Sequence, residues 1–173
     1  MDGVELARQI AANLHAEAVA RGLNPLQSYS FAVSEAERRS IDVEPTAKGA
    51  AVLDNGRATF VPNDRLILHE NIGTPFEQAF LIAHELGHVE LGDDPNAEPA
   101  REIDPARAAE PSPIGLDRVA GYDRRQRREV QMDLFAREFL LPRSVVRKLH
   151  ILSLIHISEP TRQDTRSRMP SYA

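Results

Sequence analysis

The stretch TPFEQAFLIAHELGHVEL, residues 74–91, decides how this chain folds and what it can bind. Thr74 can cap a helix, Pro75 suits its first turn, and Glu77 stands where a capping box needs an acidic residue. Gly92 follows the stretch and is typical of a helix end. We therefore predict a helix over residues 74–91, most of whose remaining side chains are apolar.

Two histidines in this helix, His84 and His88, stand four positions apart, so both imidazoles lie on one face and can converge on a single ion. Neutral imidazole suits zinc, and a catalytic zinc usually takes three protein ligands and one water. Glu85 projects toward the open position, where it can take a proton from the water and deliver it to a leaving amine. The alternative is a helix that carries two histidines by accident. The capped helical context and a third ligand further along the chain favour the metal site.

Because the chain has no cysteine, a metal site must be built from histidine and carboxylate, and one carboxylate is expected to complete the pair of histidines. Glu129 is the preferred candidate, because it lies in a second predicted helix and shares a face with Met132 and Asp133. Asp133 can then accept a hydrogen bond from the outward N–H of a ligating histidine. A solvent-facing position is the alternative for Asp133, although its apolar neighbours favour burial. A flexible loop would fix a ligand less well than a helix, but the intervening segment also offers Asp93, Asp94, Glu98, Glu102, Asp104 and Glu110.

Two motifs taken together, HELGH at residues 84–88 and EVQMDLFAREFLLP at residues 129–142, resemble the ImmA/IrrE metallopeptidases. These are a branch of the zincins whose third ligand is a glutamate. The resemblance covers about residues 4–143, and Met132 stands where the family usually has alanine. The spacing between His88 and Glu129 is longer than we expect for the family. The residues that carry the second motif are Glu129, Asp133, Phe135, Ala136, Leu140, Leu141 and Pro142.

This resemblance implies a zinc-dependent metallo-endopeptidase that cleaves a protein substrate, often a helix-turn-helix repressor in the control of mobile elements or of a stress response. Zn²⁺ would be held by His84, His88 and Glu129, with Glu85 as the catalytic residue. The alternatives are a zinc-binding regulatory module and a partner-recruiting domain of a larger DNA-processing protein. Glu85 favours the enzyme, because a structural zinc site needs no general base.

The composition of the 173 residues, 42% hydrophobic and 27% charged, is typical of one globular domain. The net charge of −5 argues against a chain-wide nucleic-acid footprint, so direct nucleic-acid binding is not expected. No apolar run reaches the length of a membrane span and no signal peptide is visible, so the cytoplasm is the expected compartment. The arginines within residues 124–128 are interpreted as a solvated helix start rather than a contact to nucleic acid or an acidic partner. The oligomeric state is left open.

The fold class predicted from these patterns is α+β and zincin-like, with helices packed on a small sheet. The HExxH helix and the later helix that bears Glu129 form its centre. Other helices are predicted at residues 4–21, from Asn24-Pro25 to about Arg39, at 124–141 and, as a short helix, after Pro142. Strands are predicted at 41–44, 50–53, 58–61 and 66–68, with a hairpin turn at 54–56. Residues 93–121, rich in proline and charge, are predicted to form an irregular insertion.

The last 22 residues, 152–173, lack a clear helical or strand period once a short apolar run ends. LSLIHISEPTR resembles the in-frame translation of a transposase adapter used in sequencing libraries, and RSRMPSYA resembles the flow-cell sequence that follows such an adapter. We therefore expect residues 1–151 to be the metallopeptidase domain and residues 152–173 to be a non-native tail. A genuine basic tail is the alternative.

Four further residues could bear on function. His69 and Tyr122 are candidates to stabilise an oxyanion, since a hydrogen-bond donor is useful there. Neither has a supporting spacing, and a histidine at a strand end is more often a surface or satisfied residue. His15 and His150 show no metal-ligand spacing.

Overall fold

A computed structural model describes residues 3–54, 56–92 and 124–157, and within them it confirms the α+β class. The described part holds five α-helices, one short 3₁₀ helix at Ala51–Leu53 and three β-strands. In chain order the elements are α1 (Gly3–Ala20), α2 (Ser28–Arg38), β1 (Asp42–Thr46), β2 (Ala58–Val61), β3 (Leu66–Glu70), α3 (Pro75–Glu90), α4 (Arg124–Leu140) and α5 (Arg143–Ile157). The predicted insertion, residues 93–121, lies outside the described residues.

The sheet is mixed, with the strand order β1-β3-β2. β1 pairs in parallel with β3, so that Val43 lies opposite Ile67, and β2 pairs antiparallel with β3, so that Phe60 lies opposite Ile67. β3 is therefore the central strand of the three. Its Ile67 and His69 are fully buried against the helices.

The predicted strand at residues 50–53 is wrong, because Ala51–Leu53 forms a 3₁₀ helix. Ala51 and Val52 are exposed and Leu53 is buried, so the segment does not alternate as a half-buried strand must. Asp54 adopts a left-handed conformation, with φ of 45°, that ends the 3₁₀ turn. The partner of β2 is therefore β3 and not the segment before it.

The second helix begins at Ser28, later than the predicted cap at Asn24. Asn24 does use its side chain as a capping residue would, since its Oδ1 accepts the N–H of Leu26 at 3.0 Å. The main chain nevertheless makes a separate turn, in which the N–H of Gln27 donates to the carbonyl of Asn24. The helix starts only after that turn is complete.

The core is shared by four helices and the sheet. The helix α1 packs on α4, and α3 packs on α2, α4 and the sheet. At the end of α4, the imidazole of His15 donates from Nδ1 to the carbonyl of Phe139 at 2.7 Å, so this buried histidine has a structural partner. The largest fully buried apolar side chains are Phe31, Ile41, Ile67, Ile82, Met132, Phe135 and Phe139.

A buried carboxylate, Glu35, joins the helices by charge. Its side chain is almost fully buried and is paired with Arg21, Arg38 and Arg39. Arg39 also pairs with Glu90 near the end of α3. A buried carboxylate without such partners would be costly, so this network fixes α2 against α3.

The last helix, α5, belongs to a second compact unit that starts at Arg143. The prediction of a short helix after Pro142 understates its length, since it has 15 residues and runs on to Ile157. Leucine and isoleucine in that stretch are compatible with a helix, and it contains no proline or glycine. Among the described helices, none combines the length and the apolar character of a membrane span.

Gly87 sets how closely α4 can approach α3. A Cβ atom placed on it would lie 3.0 Å from Met132 Sδ and 3.1 Å from Phe135 Cδ1. The methionine side chain could move aside, but the Phe135 ring is fully buried and stacks on Phe139. Glycine at this position, directly before His88 and three residues after His84, therefore lets the two helices lie in contact beside the histidines.

We predict that Gly87→Ala destabilises the protein, although the same change inside a helix ordinarily stabilises by about 1 kcal/mol. Overpacking against Met132 and Phe135 should cost about 1–3 kcal/mol and outweigh that gain. Urea denaturation of the metal-free protein measures the change. In a Met132→Ala background the same glycine change should cost less, and a more stable single variant would show that the helices do not need this close approach.

Candidate metal centre

Three potential ligand atoms meet where α3 faces α4. His84 Nε2 lies 3.2 Å from His88 Nε2 and 3.2 Å from Glu129 Oε2, while His88 Nε2 lies 3.8 Å from the same carboxylate oxygen. The two histidines come from one face of α3, and Glu129 comes from the first half of α4. Within the described residues, these three form the one cluster whose atoms could hold a metal ion together.

The spacing of these atoms fits a small tetrahedral cation. Ligands at the usual zinc–nitrogen and zinc–oxygen lengths around a tetrahedral ion lie about 3.3 Å from one another. Two of the three separations here equal that value closely and the third is slightly wider. Two imidazole nitrogens and a carboxylate oxygen at such distances need a shared proton or cation between them. The residues present therefore fit a metal ion bound by two nitrogens and one oxygen.

The other nitrogen of His84 has its own partner. Nδ1–H donates to Asp133 Oδ1 at 3.0 Å, which leaves Nε2 directed at Glu129 and His88. Asp133 lies one helical turn after Glu129, so one face of α4 supplies both carboxylates. The side chain of Asp133 is 45% exposed, so it is less buried than its apolar neighbours suggested.

The electrostatic field at this cluster favours a positive charge. Burial opposes a charge on His84, but Asp133, Glu129 and Glu85 outweigh it and raise the pKa of this imidazole to about 10. A proton therefore occupies His84 at neutral pH when no metal is bound. The same carboxylates would stabilise a divalent cation in its place.

Glu85 points to the sheet side of α3. Its Oε2 accepts the main-chain N–H of Phe60 on β2 at 3.0 Å. Burial raises the pKa of Glu85 above the ordinary value, although the neighbouring histidines and the Phe60 amide act in the opposite direction. The carboxylate thus lies beside the metal cluster with one oxygen anchored to the sheet.

Other candidates from the sequence take different positions. His69 lies within β3 and is fully buried, with Nε2 beside the Tyr29 hydroxyl at 3.3 Å and Nδ1 beside the Glu70 carbonyl at 3.0 Å. Both ring nitrogens therefore have partners within the chain, as the favoured interpretation of a satisfied histidine requires, and the oxyanion role is not supported. Tyr122 and the six acidic residues of the intervening segment lie outside the described residues.

One contact near the centre was not anticipated. Arg128 donates from Nη2 to the carbonyl of Leu91 at 2.8 Å and from Nη1 to Gln131 Oε1 at 3.1 Å. The guanidinium at the carboxyl end of α3 donates to a carbonyl that has no partner within the helix. Its positive charge is also attracted to the negative end of the helix dipole. The interpretation of this arginine as merely solvated is therefore wrong. No spacing in the sequence signals this contact, because its acceptor is a main-chain carbonyl 37 positions away.

A small α+β domain with two histidines, a glutamate on a facing helix and a neighbouring carboxylate fits a metallopeptidase-type domain. The sequence profile of the Peptidase_M78 family, described as the IrrE N-terminal-like domain, matches residues 36–156. The chain belongs to this family, which confirms the resemblance to ImmA/IrrE. The match begins within α2 and ends within α5, so it leaves out α1, which the resemblance was expected to include. A comparison with curated proteins found no match.

We predict that the purified protein binds about one zinc ion per chain through these residues. Replacing His84 and His88 together by alanine should abolish tight binding, because only one ligand would remain. Metal analysis after dialysis, with competition against a chromogenic chelator, measures the content and the affinity. Unchanged zinc content in the double variant would refute the site.

Glutamine substitutions test the third ligand. Glu129→Gln should lower zinc affinity strongly, whereas Glu98→Gln and Glu102→Gln should have little effect. Asp133→Asn should cost about 10–100-fold in affinity, the usual range for a group that orients a ligand. The reverse ranking of the glutamates would show that the intervening segment supplies the third ligand.

We further predict that zinc binding releases a proton from His84. Because the pKa of this residue is raised to about 10 in the metal-free protein, the proton competes with zinc, and affinity should rise with pH from 6 to 8. Calorimetry in buffers of different ionisation enthalpy counts the protons released. Asp133→Asn removes a group that raises this pKa, so it should release fewer, and equal release by both proteins would contradict the assignment.

Proposed function

We propose that this protein is a zinc-dependent metallo-endopeptidase that cleaves a protein substrate. The observation that carries the proposal is the place of Glu85, a partly buried carboxylate next to the cluster of His84, His88 and Glu129. A site that only stabilised the fold would need no such base and would be closed by a fourth protein ligand. In the described residues, the metal cluster has three.

Zinc is the metal that this donor set suits best. Two imidazole nitrogens and one carboxylate oxygen form a ligand set that zinc enzymes use with a fourth position open to water. Harder cations such as Mg²⁺ and Ca²⁺ prefer oxygen ligands and more of them. The nearly tetrahedral separations of the donor atoms point the same way.

The chemistry would divide between the ion and the chain. When bound, zinc polarises the attacking water and the scissile carbonyl. Glu85 takes the proton of the water as its oxygen adds to the carbonyl carbon, and returns a proton to the amide nitrogen as the C–N bond breaks. The raised pKa of Glu85 brings this base closer to neutral pH, and activity should fall as the pH drops through that pKa because a protonated carboxyl cannot accept.

Asp133 and Glu129 would serve the same reaction from α4. Asp133 holds the His84 ring by its Nδ1–H, which keeps Nε2 available as a ligand. The substrate is proposed to be a transcriptional regulator of the helix-turn-helix type. The support for this substrate is the resemblance to ImmA/IrrE.

We predict that Glu85→Gln keeps the fold and the zinc but loses cleavage of the substrate by about 10²–10⁴-fold. Glutamine preserves the shape of the side chain and cannot accept the proton. The assay incubates the zinc-loaded protein with a repressor encoded beside its gene and identifies fragments by mass spectrometry. Glu37→Gln, an exposed change on α2, is the matched control and should cleave like the parent.

The outcomes separate the functions. Full activity in Glu85→Gln would refute the mechanism, and loss of both zinc and activity would make Glu85 a structural residue. A parent protein that binds zinc and cleaves no candidate repressor would favour the regulatory-module function instead.

A further inference from the structure

We propose that the main-chain N–H of Phe60 positions the carboxylate of Glu85, the proposed base. Strand β2 then belongs to the site together with α3 and α4. The proposal rests on the function proposed above, in which Glu85 is the base. Its starting observation is the 3.0 Å hydrogen bond from the Phe60 amide to Glu85 Oε2. This amide can serve Glu85 alone only if it makes no hydrogen bond to the neighbouring strand β3.

The pairing of β2 with β3 shows which amides face away from the sheet. The N–H of Glu70 donates to the carbonyl of Arg57 at 2.8 Å, so these two residues form a hydrogen-bonded pair. Hydrogen-bonded and non-hydrogen-bonded pairs alternate along an antiparallel ladder. In the observed register the non-bonded pairs are Ala58 with His69 and Phe60 with Ile67.

The amides of Ala58 and Phe60 therefore point away from β3. β2 is an edge of the described sheet, and an edge strand presents such groups without a strand partner. For Phe60 the partner is the carboxylate of Glu85, and no ladder bond competes for it. The strand thus supplies the bond to Glu85 at no loss of sheet pairing.

A main-chain donor holds a carboxylate more firmly than a side chain would, because it has no rotamers of its own. The Phe60 side chain packs against the core and keeps this point of the strand in place. With Oε2 fixed, Glu85 keeps Oε1 for the proton, since among the described residues Oε1 has no hydrogen-bond donor. The anchoring bond therefore divides the two oxygens into one that is held and one that reacts.

Proline substitution tests the amide directly. Phe60→Pro removes the N–H without breaking a ladder bond, and proline is tolerated on edge strands where the N–H faces outward. Phe60→Ala removes the ring but keeps the amide, so the difference between the two variants reports on the N–H. Ala58→Pro is the matched control, because it removes the other outward-facing amide of the same strand.

The measurement needs no peptide substrate. The 173-residue chain is loaded with Co²⁺, and acetohydroxamic acid is titrated while the visible absorption spectrum of the metal is followed. This probe chelates a metal through two oxygens and gives its acidic proton to a neighbouring base, so its affinity reports where Glu85 is held. Metal content and thermal unfolding are recorded for every variant.

We expect Phe60→Pro to bind the probe at least about tenfold more weakly than Phe60→Ala, as loss of a hydrogen bond to a charged group implies. Glu85→Gln should lose at least as much, and Ala58→Pro should bind like the parent. All four variants should retain one Co²⁺ per chain.

Each contrary result has one meaning. If Glu85→Gln loses affinity but Phe60→Pro and Phe60→Ala bind equally, the positioning proposal fails and the proposed function stands. If Ala58→Pro loses as much as Phe60→Pro, the effect belongs to the strand as a whole and the proposal fails. If Glu85→Gln binds the probe as tightly as the parent, Glu85 is not the base, and the proposed function fails with the inference.

Discussion

Two imidazole nitrogens and a carboxylate oxygen lie within 3.8 Å of one another, and this arrangement requires a positive charge between them. Neutral nitrogens at such a distance would direct lone pairs at each other, and a carboxylate beside them would add repulsion. In the metal-free protein a proton on His84 supplies the charge, which is why its pKa rises so far. A divalent ion meets the same need with a better geometry. Much of the surrounding fold serves to bring these groups together and to hold them there.

The helix α3 holds these groups in place through three different contacts, two on its faces and one at its carboxyl end. One face carries the histidines toward Glu129, and the glycine between them admits α4 at close range. A second face places Glu85 against the amide of β2. At its carboxyl end Glu90 pairs with Arg39, which is itself tied to the buried Glu35. The helix that carries His84 and His88 is thus held by three contacts that differ in kind.

Much of the site could be predicted because its functional groups are side chains that recur in the sequence at helical spacing. The capping box of Thr74 and Glu77, the pair of histidines and the shared face of Glu129 and Asp133 all follow from a period of 3.6 residues. The missed features belong to the main chain or to pairing across long distances. Every residue other than proline has a main-chain N–H and a carbonyl, so the residue type does not identify the amide of Phe60 as a donor or the carbonyl of Leu91 as an acceptor. The strand expected at residues 50–53 failed for a related reason, since which segment pairs with β2 depends on β3, further along the chain.

The bond between Arg128 and the Leu91 carbonyl joins the two ends of a long connection. Because these ends are held next to each other by the helices themselves, the entropy of closing the connection grows only slowly with its length. Insertions or deletions between the two helices would then leave the ligand atoms where they are. The connection is therefore the part of the chain between His88 and Glu129 in which length can change at little entropic cost to the site.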